Sequence, residues 1–121
     1  MLQIARFAAL ALVVVIAAPT SVASFSWPGT YDLVGSGFPD GNRHAVMHVE
    51  RRDSSYTLEM LEGPPGELIA FRVSGDSAHV VWSMSGPVMA VALHGVRDSV
   101  YGRWSIDERS GSIVGVRRRG Q

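Results

Sequence analysis

The alternation of apolar and polar residues is clearest between Leu68 and Met84, where two short runs flank Gly75-Asp76. Glycine takes positive φ freely and Asp tolerates it better than most residues, so the pair suits a two-residue hairpin turn. With Ser74 opposite Ser77, Val73 faces Ala78, Arg72 faces His79, Phe71 faces Val80 and Ile69 faces Trp82. One face of the hairpin is then wholly apolar. A slip of one residue would interleave Arg72 and His79 with that face, so the register is well specified.

Beyond Ser24 no segment repeats apolar residues at helical spacing over a useful length. Short alternating runs recur instead about every 10 to 12 positions, separated by Gly, Pro, Asp and Ser, which is the pattern of an antiparallel barrel or sandwich. Eight strands are predicted, roughly at 29–35, 43–51, 55–62, 67–74, 77–84, 88–94, 99–106 and 112–118. No connection can house a crossover helix, so sequential neighbours are expected to pair as a meander. Extending the hairpin register backward sets Phe71 against Leu58, Ile69 against Met60, Met60 against Met47 and Leu58 against Val49. Extending it forward sets Trp82 against Met89, Val80 against Val91, Ala78 against Leu93, Val91 against Trp104, Leu93 against Gly102, Trp104 against Gly115 and Ile106 against Ile113. The inward set is strongly apolar, and Trp82→Ala is expected to be the costliest single change, on the order of 3 to 5 kcal/mol.

The outward set is mixed. Glu50 with Arg72 and His48 with Glu59 read as surface pairs worth about 0 to 1 kcal/mol. Val46, Leu61, Leu68, Val81 and Val88 form an expected outer apolar patch. It is either ordinary surface, covered or not by the segment Phe25-Ser26-Trp27, or an interface with a second copy or another protein.

The start of the chain adds an address. Arg6 precedes an unbroken apolar run, Phe7 to Ala18, which is broken by Pro19 and followed by the small residues Ser21-Val22-Ala23. Residues 1–23 read as a secretory signal peptide, the run being shorter than the roughly 18 to 20 apolar residues a spanning helix needs. Residues 24–121 are then a single domain, exported to the periplasm or the extracellular space. The chain holds no cysteine, so neither a disulfide nor a lipid on a cysteine is available to it. Without Arg6, ten Arg stand against eleven acidic residues and no Lys. That balance gives no pull toward nucleic acid.

Candidate chemistry is sparse, and the expectation is a protein that is not an enzyme and carries no metal or cofactor. His94, Asp98 and Ser99 lie close in sequence, but His94 faces Tyr101 outside the barrel. His44 and His48 share a strand face about 13 Å apart, too far to chelate one ion. His48 with Glu59 offers two ligands and no third. The inward Met47, Met60, Met84 and Met89, with Tyr31, Phe71, Trp82 and Trp104, compose an adaptable apolar lining instead. The glycine-rich connection from Gly35 to Asn42 carries Phe38 beside it. An eight-stranded barrel is just wide enough for its own side chains to fill, so a packed interior is the competing expectation.

Eight meandering strands opening on Trp27-Pro28-Gly29-Thr30-Tyr31 and closing on Gly115-Val116-Arg117 resemble the calycin-type barrels, the lipocalins and avidins. Those families begin with Gly-x-Trp and set an Arg from the last strand over that ring. Here Gly29-Thr30-Tyr31 has Tyr in place of Trp, and Arg117 stands at the Arg position. The resemblance implies an eight-stranded up-and-down barrel closed at one end by Tyr31 and Arg117. It also implies a small apolar ligand in the open mouth near Tyr31, Phe38, Met47, Met60, Phe71, Trp82, Met89 and Trp104. From the residues alone an open β-sandwich of the same strands remains the alternative, and an outer-membrane barrel is disfavoured because the strands are shorter than the roughly 9 to 11 residues needed to span.

Overall fold

The computed structural model describes residues 25–120, so the leader read at 1–23 lies outside the described residues. Eight antiparallel strands form one sheet that curls into a nearly closed barrel, with no helix among the described residues. They are β1 (Gly29–Ser36), β2 (Arg43–Arg52), β3 (Ser55–Glu62), β4 (Glu67–Ser74), β5 (Ser77–Ser83), β6 (Val88–Val96), β7 (Ser99–Ile106) and β8 (Arg109–Arg117). The spatial order is β3-β2-β1-β8-β7-β6-β5-β4, so the first and last strands pair and the sheet is interrupted between β3 and β4. Four connections are two-residue turns, and the first residue of each, Asp53, Gly75, Arg97 or Asp107, takes positive φ. Such turns match the right-handed twist of the strands they join.

The register of the opening hairpin holds from Ser74↔Ser77 to Ala70↔Val81 and then changes. Ile69 is an extra residue: Ala70 pairs with Val81 and Leu68 with Trp82. Ile69 therefore does not face Trp82. It is thrown out and is 58% exposed, while Leu68 moves to the Trp82 side of the sheet and leaves the outer row. A matching irregularity lies on β3, where Val46 pairs with Glu62 and Met47 with Met60, leaving Leu61 as the extra residue, 49% exposed. Bulges bend and twist the strand that carries them.

These two bulges flank the connection Gly63-Pro64-Pro65-Gly66, whose prolines offer no N–H to a ladder. The expected β3–β4 ladder, with Leu58 against Phe71 and Met60 against Ile69, is consequently absent. The outer pair expected across it, Glu50 with Arg72, is absent too: Glu50 instead meets His48 Nε2 at 3.2 Å and Arg52 at 3.7 Å. His48 stands opposite Glu59 in register but accepts or donates through Nδ1 to the Thr30 hydroxyl at 2.8 Å.

Forward of β5 the pairs Val80↔Val91, Trp82↔Met89, Val91↔Trp104 and Leu93↔Gly102 all form. The last hairpin turns earlier than its sequence suggests. Asp107-Glu108 closes it, so Trp104 faces Gly111 and Gly102 faces Ile113, rather than Trp104 facing Gly115 and Ile106 facing Ile113. The slip is four residues. Because that is an even number, every side chain stays on its expected face.

The core is unevenly distributed along the barrel. Its lower part, at the end of the Gly75-Asp76 turn, is filled by Trp27, Tyr31, Val49, Ala78 and Val100, each buried. Trp27 does not lie on the outer patch. It is tucked under the barrel, where its indole N–H donates to Gly75 O at 2.9 Å, and the Phe25 N–H donates to Asp76 Oδ1 at 2.7 Å. Val46 also departs from the expected patch and is buried, whereas Leu61, Leu68 and Val88 are exposed and Val81 is half-buried.

Candidate functional site

The two ends of the barrel differ in kind. At the closed end the Tyr31 hydroxyl donates to Trp27 O at 2.7 Å, and the Arg117 guanidinium lies over the rings of Tyr31 and Phe25, 5.2 Å and 4.8 Å from their centroids. One Arg117 Nη donates to Ser26 O and to Pro28 O, the other to Arg97 O at 3.3 Å. The segment beneath is thus tied directly to the β4–β5 turn and, through Arg117, to β8 and the β6–β7 turn. Burial pushes the Tyr31 phenol up to about 12, against the opposing pull of Arg117. A phenol held neutral in this way acts as a hydrogen-bond donor.

At the other end the chain runs through Gly37 to Asn42, Gly63 to Gly66, Met84 to Pro87 and the Asp107-Glu108 turn. Beneath these connections is a cavity of about 80 Å³. Its walls are almost wholly apolar, from Val91 and Leu93 deep in the barrel up to Pro64 and Met84 at the rim, with Arg43 and His44 at the edge. The volume is room for roughly five to eight water-sized groups, more than a packing flaw and less than a large cofactor needs.

Alternation along each strand brings the lining residues together. Met47 and Met60 face each other across β2 and β3, Trp82 and Met89 across β5 and β6, and Trp104 follows opposite Val91. Phe38 comes from the β1–β2 connection and lies flat on Trp104, with the Arg43 guanidinium 4.7 Å above its other side. Arg43 is held in turn by Asp40 at 3.1 Å, and that hydrogen bond lowers the Asp40 carboxyl below the ordinary carboxylate range.

Of the residues singled out from the sequence, Phe38, Met47, Met60, Trp82, Met84, Met89 and Trp104 surround this one cavity. Tyr31 lies below it, in the packed closed end, and Phe71 is half-buried on β4 beside the interruption, outside the cavity wall. Every methionine after Met1 lines it. Trp27 and Pro64 were not among the sequence candidates. Trp27 precedes the first strand, so no alternation marks it as internal, and Pro64 belongs to a turn whose place over the mouth depends on the missing β3–β4 ladder.

Among the described residues no group of three His, Asp or Glu side chains is placed to hold a metal ion, and no helix is long and apolar enough to cross a membrane. Compared with protein-family models, with curated proteins and with solved structures, the chain finds no match.

Proposed function

We propose that this chain is an exported, non-enzymatic barrel of the lipocalin-like kind that holds a small apolar ligand in its open end, residues 1–23 being removed on export. One observation carries the reading: the end closed by Trp27 and Tyr31 is filled with fully buried side chains, and an apolar cavity lies at the other. Two tryptophans, Trp82 and Trp104, line that cavity, so occupancy is expected to alter their emission. Titrating the purified protein with a series of apolar compounds of rising chain length tests it. A shift or quench that saturates for the short members and fails for the long ones is the expected result, and an unchanged spectrum throughout would sink the reading.

A second reading has its own support. Leu61 and Ile69 are exposed on the two strands that border the interruption, and both strands present an unpaired edge there. Exposed apolar residues beside open strand edges suit contact with a second copy or another protein. Light scattering of Leu61→Glu and Ile69→Glu beside the wild type tests it, and an unchanged mass in every sample would remove self-association.

A further inference from the structure

We infer that the ligand is a single apolar chain ending in an uncharged carbonyl group, such as an ester, lactone or ketone, whose oxygen accepts the indole N–H of Trp82. The inference rests on the reading of the open end as a ligand site and names the chemistry of the compound bound there. Three indoles lie inside this protein, and two have partners: Trp27 Nε1 donates to Gly75 O at 2.9 Å and Trp104 Nε1 to Ser36 O at 2.8 Å. Trp82 is 6% exposed, it lines the cavity, and its Nε1 has no partner among the described residues. A buried donor left unpaired costs free energy in the empty protein, and that cost is recovered by any ligand that brings an acceptor to it. The remaining walls are apolar apart from Arg43 and His44 at the edge, and Arg43 is already bound to Asp40, so Trp82 is the unpartnered donor within the wall itself.

The position of this N–H sets the orientation of the ligand. Nε1 lies beneath Gly66, so close that a Cβ on Gly66 would stand 2.8 Å from it. Gly66 belongs to the connection over the mouth, whereas Val91 and Leu93 form the deep wall. The carbonyl therefore sits at the mouth and the chain points down.

The rim decides against a charged head. The strand ends and turns around the mouth carry Asp40, Glu62, Glu67, Asp107 and Glu108 against Arg43, His44 and Arg109, and Arg43 is already bound to Asp40 at 3.1 Å. Carboxylates in that number repel an incoming carboxylate and leave a neutral acceptor unaffected. An ammonium would suit the rim but offers Trp82 no acceptor.

Methyl butanoate, pentanoate and n-heptane, of closely similar size and within the volume of the cavity, separate these terms when titrated into the full barrel by calorimetry, with the wild type and Trp82→Phe side by side. Methyl butanoate is expected to bind at least tenfold tighter than either competitor and to move the Trp82 indole proton resonance downfield. In Trp82→Phe its affinity is expected to fall to that of n-heptane, which itself stays unchanged. Equal binding of ester and alkane to the wild type, with an unmoved indole proton, would overturn the inference and leave the apolar site standing. Tighter binding of pentanoate would overturn the neutral head. No binding by any of the three would overturn the ligand site itself. The indole resonance is read on the wild type, so the test survives a Trp82→Phe protein that folds poorly.

Discussion

The ring of Phe38 lies on the ring of Trp104 with centroids 4.1 Å apart and planes 3° from parallel, although one residue belongs to a loop and the other to the middle of β7. The contact is what closes the β1–β2 loop over the cavity. Trp104 is held from beneath by its own hydrogen bond to Ser36 O and by Gly111, against which it packs, so the loop rests on a fixed platform. Stacked aromatic pairs contribute about 0.5 to 1.5 kcal/mol beyond the area they bury.

Phe38→Ala is therefore expected to leave the barrel folded and to lower its stability by about 1 to 2 kcal/mol. Trp104 loses its cover at the same time. A red shift in tryptophan emission should accompany the change, and a spectrum identical to that of the wild type would mean the stack is not kept in solution.

Alkali should reach the closed end before it reaches the open one. The phenol of Tyr31 is raised from 10 to about 12 chiefly by burial, so the folded state resists losing that proton more than the unfolded state does. Stability contributed this way is complete below about pH 10 and is lost as pH rises toward 12. A shift of this size corresponds to roughly 2 to 3 kcal/mol at most. Urea unfolding from pH 8 to 12 should show the loss, and Tyr31→Phe should flatten that part of the curve while lowering stability at pH 8 through the missing bond to Trp27 O. An equally steep fall in the Phe variant would assign the alkaline loss to another group.

Much of this fold is legible because side-chain period 2 constrains parity more tightly than it constrains pairing. The last hairpin shows the difference. Reading Asp107 through Gly111 as one long loop shifts the pairing across it by four residues, yet Trp104, Ile106 and Ile113 still face inward because four is even. Bulges are the opposite case. Nothing in the alternation around Leu61 or Ile69 reveals an extra residue, and one residue is enough to reverse the outer and inner sides above it. The seven cavity residues legible in the sequence all lie on stretches with intact parity or, for Phe38, in the one long glycine-rich loop. Trp27 was hidden because it packs from outside any strand, and the missing partner of Trp82 depends on the displaced mouth connection rather than on its own strand.

Gly111 stands opposite Trp104, and a Cβ there would meet Ser36 O at 2.0 Å and Trp104 Nε1 at 2.5 Å. Backbone on one side and a fully buried ring on the other leave it no room. Gly111→Ala should displace Trp104, break its bond to Ser36 O and cost on the order of 3 kcal/mol. Thermal unfolding with tryptophan emission measures both effects, and a melting point within a degree of the wild type would show that the ring and strand can separate freely.

Deleting Ile69 is expected to be milder than deleting an exposed residue a short way along the same strand. Ile69 is the extra residue between the pairs Leu68↔Trp82 and Ala70↔Val81, so its removal joins two ladders that are already in register. No side chain changes face, and the loss should stay below about 1 kcal/mol. Arg72 is exposed, yet its deletion would set Phe71 opposite His79 and turn that ring out to water. Bringing a large apolar side chain out costs roughly 1.5 to 3 kcal/mol. Chemical denaturation of the two single-residue deletions should rank them in that order. The reverse ranking would mean that the bulge at Ile69 is itself a structural requirement of the barrel, holding β4 away from β3.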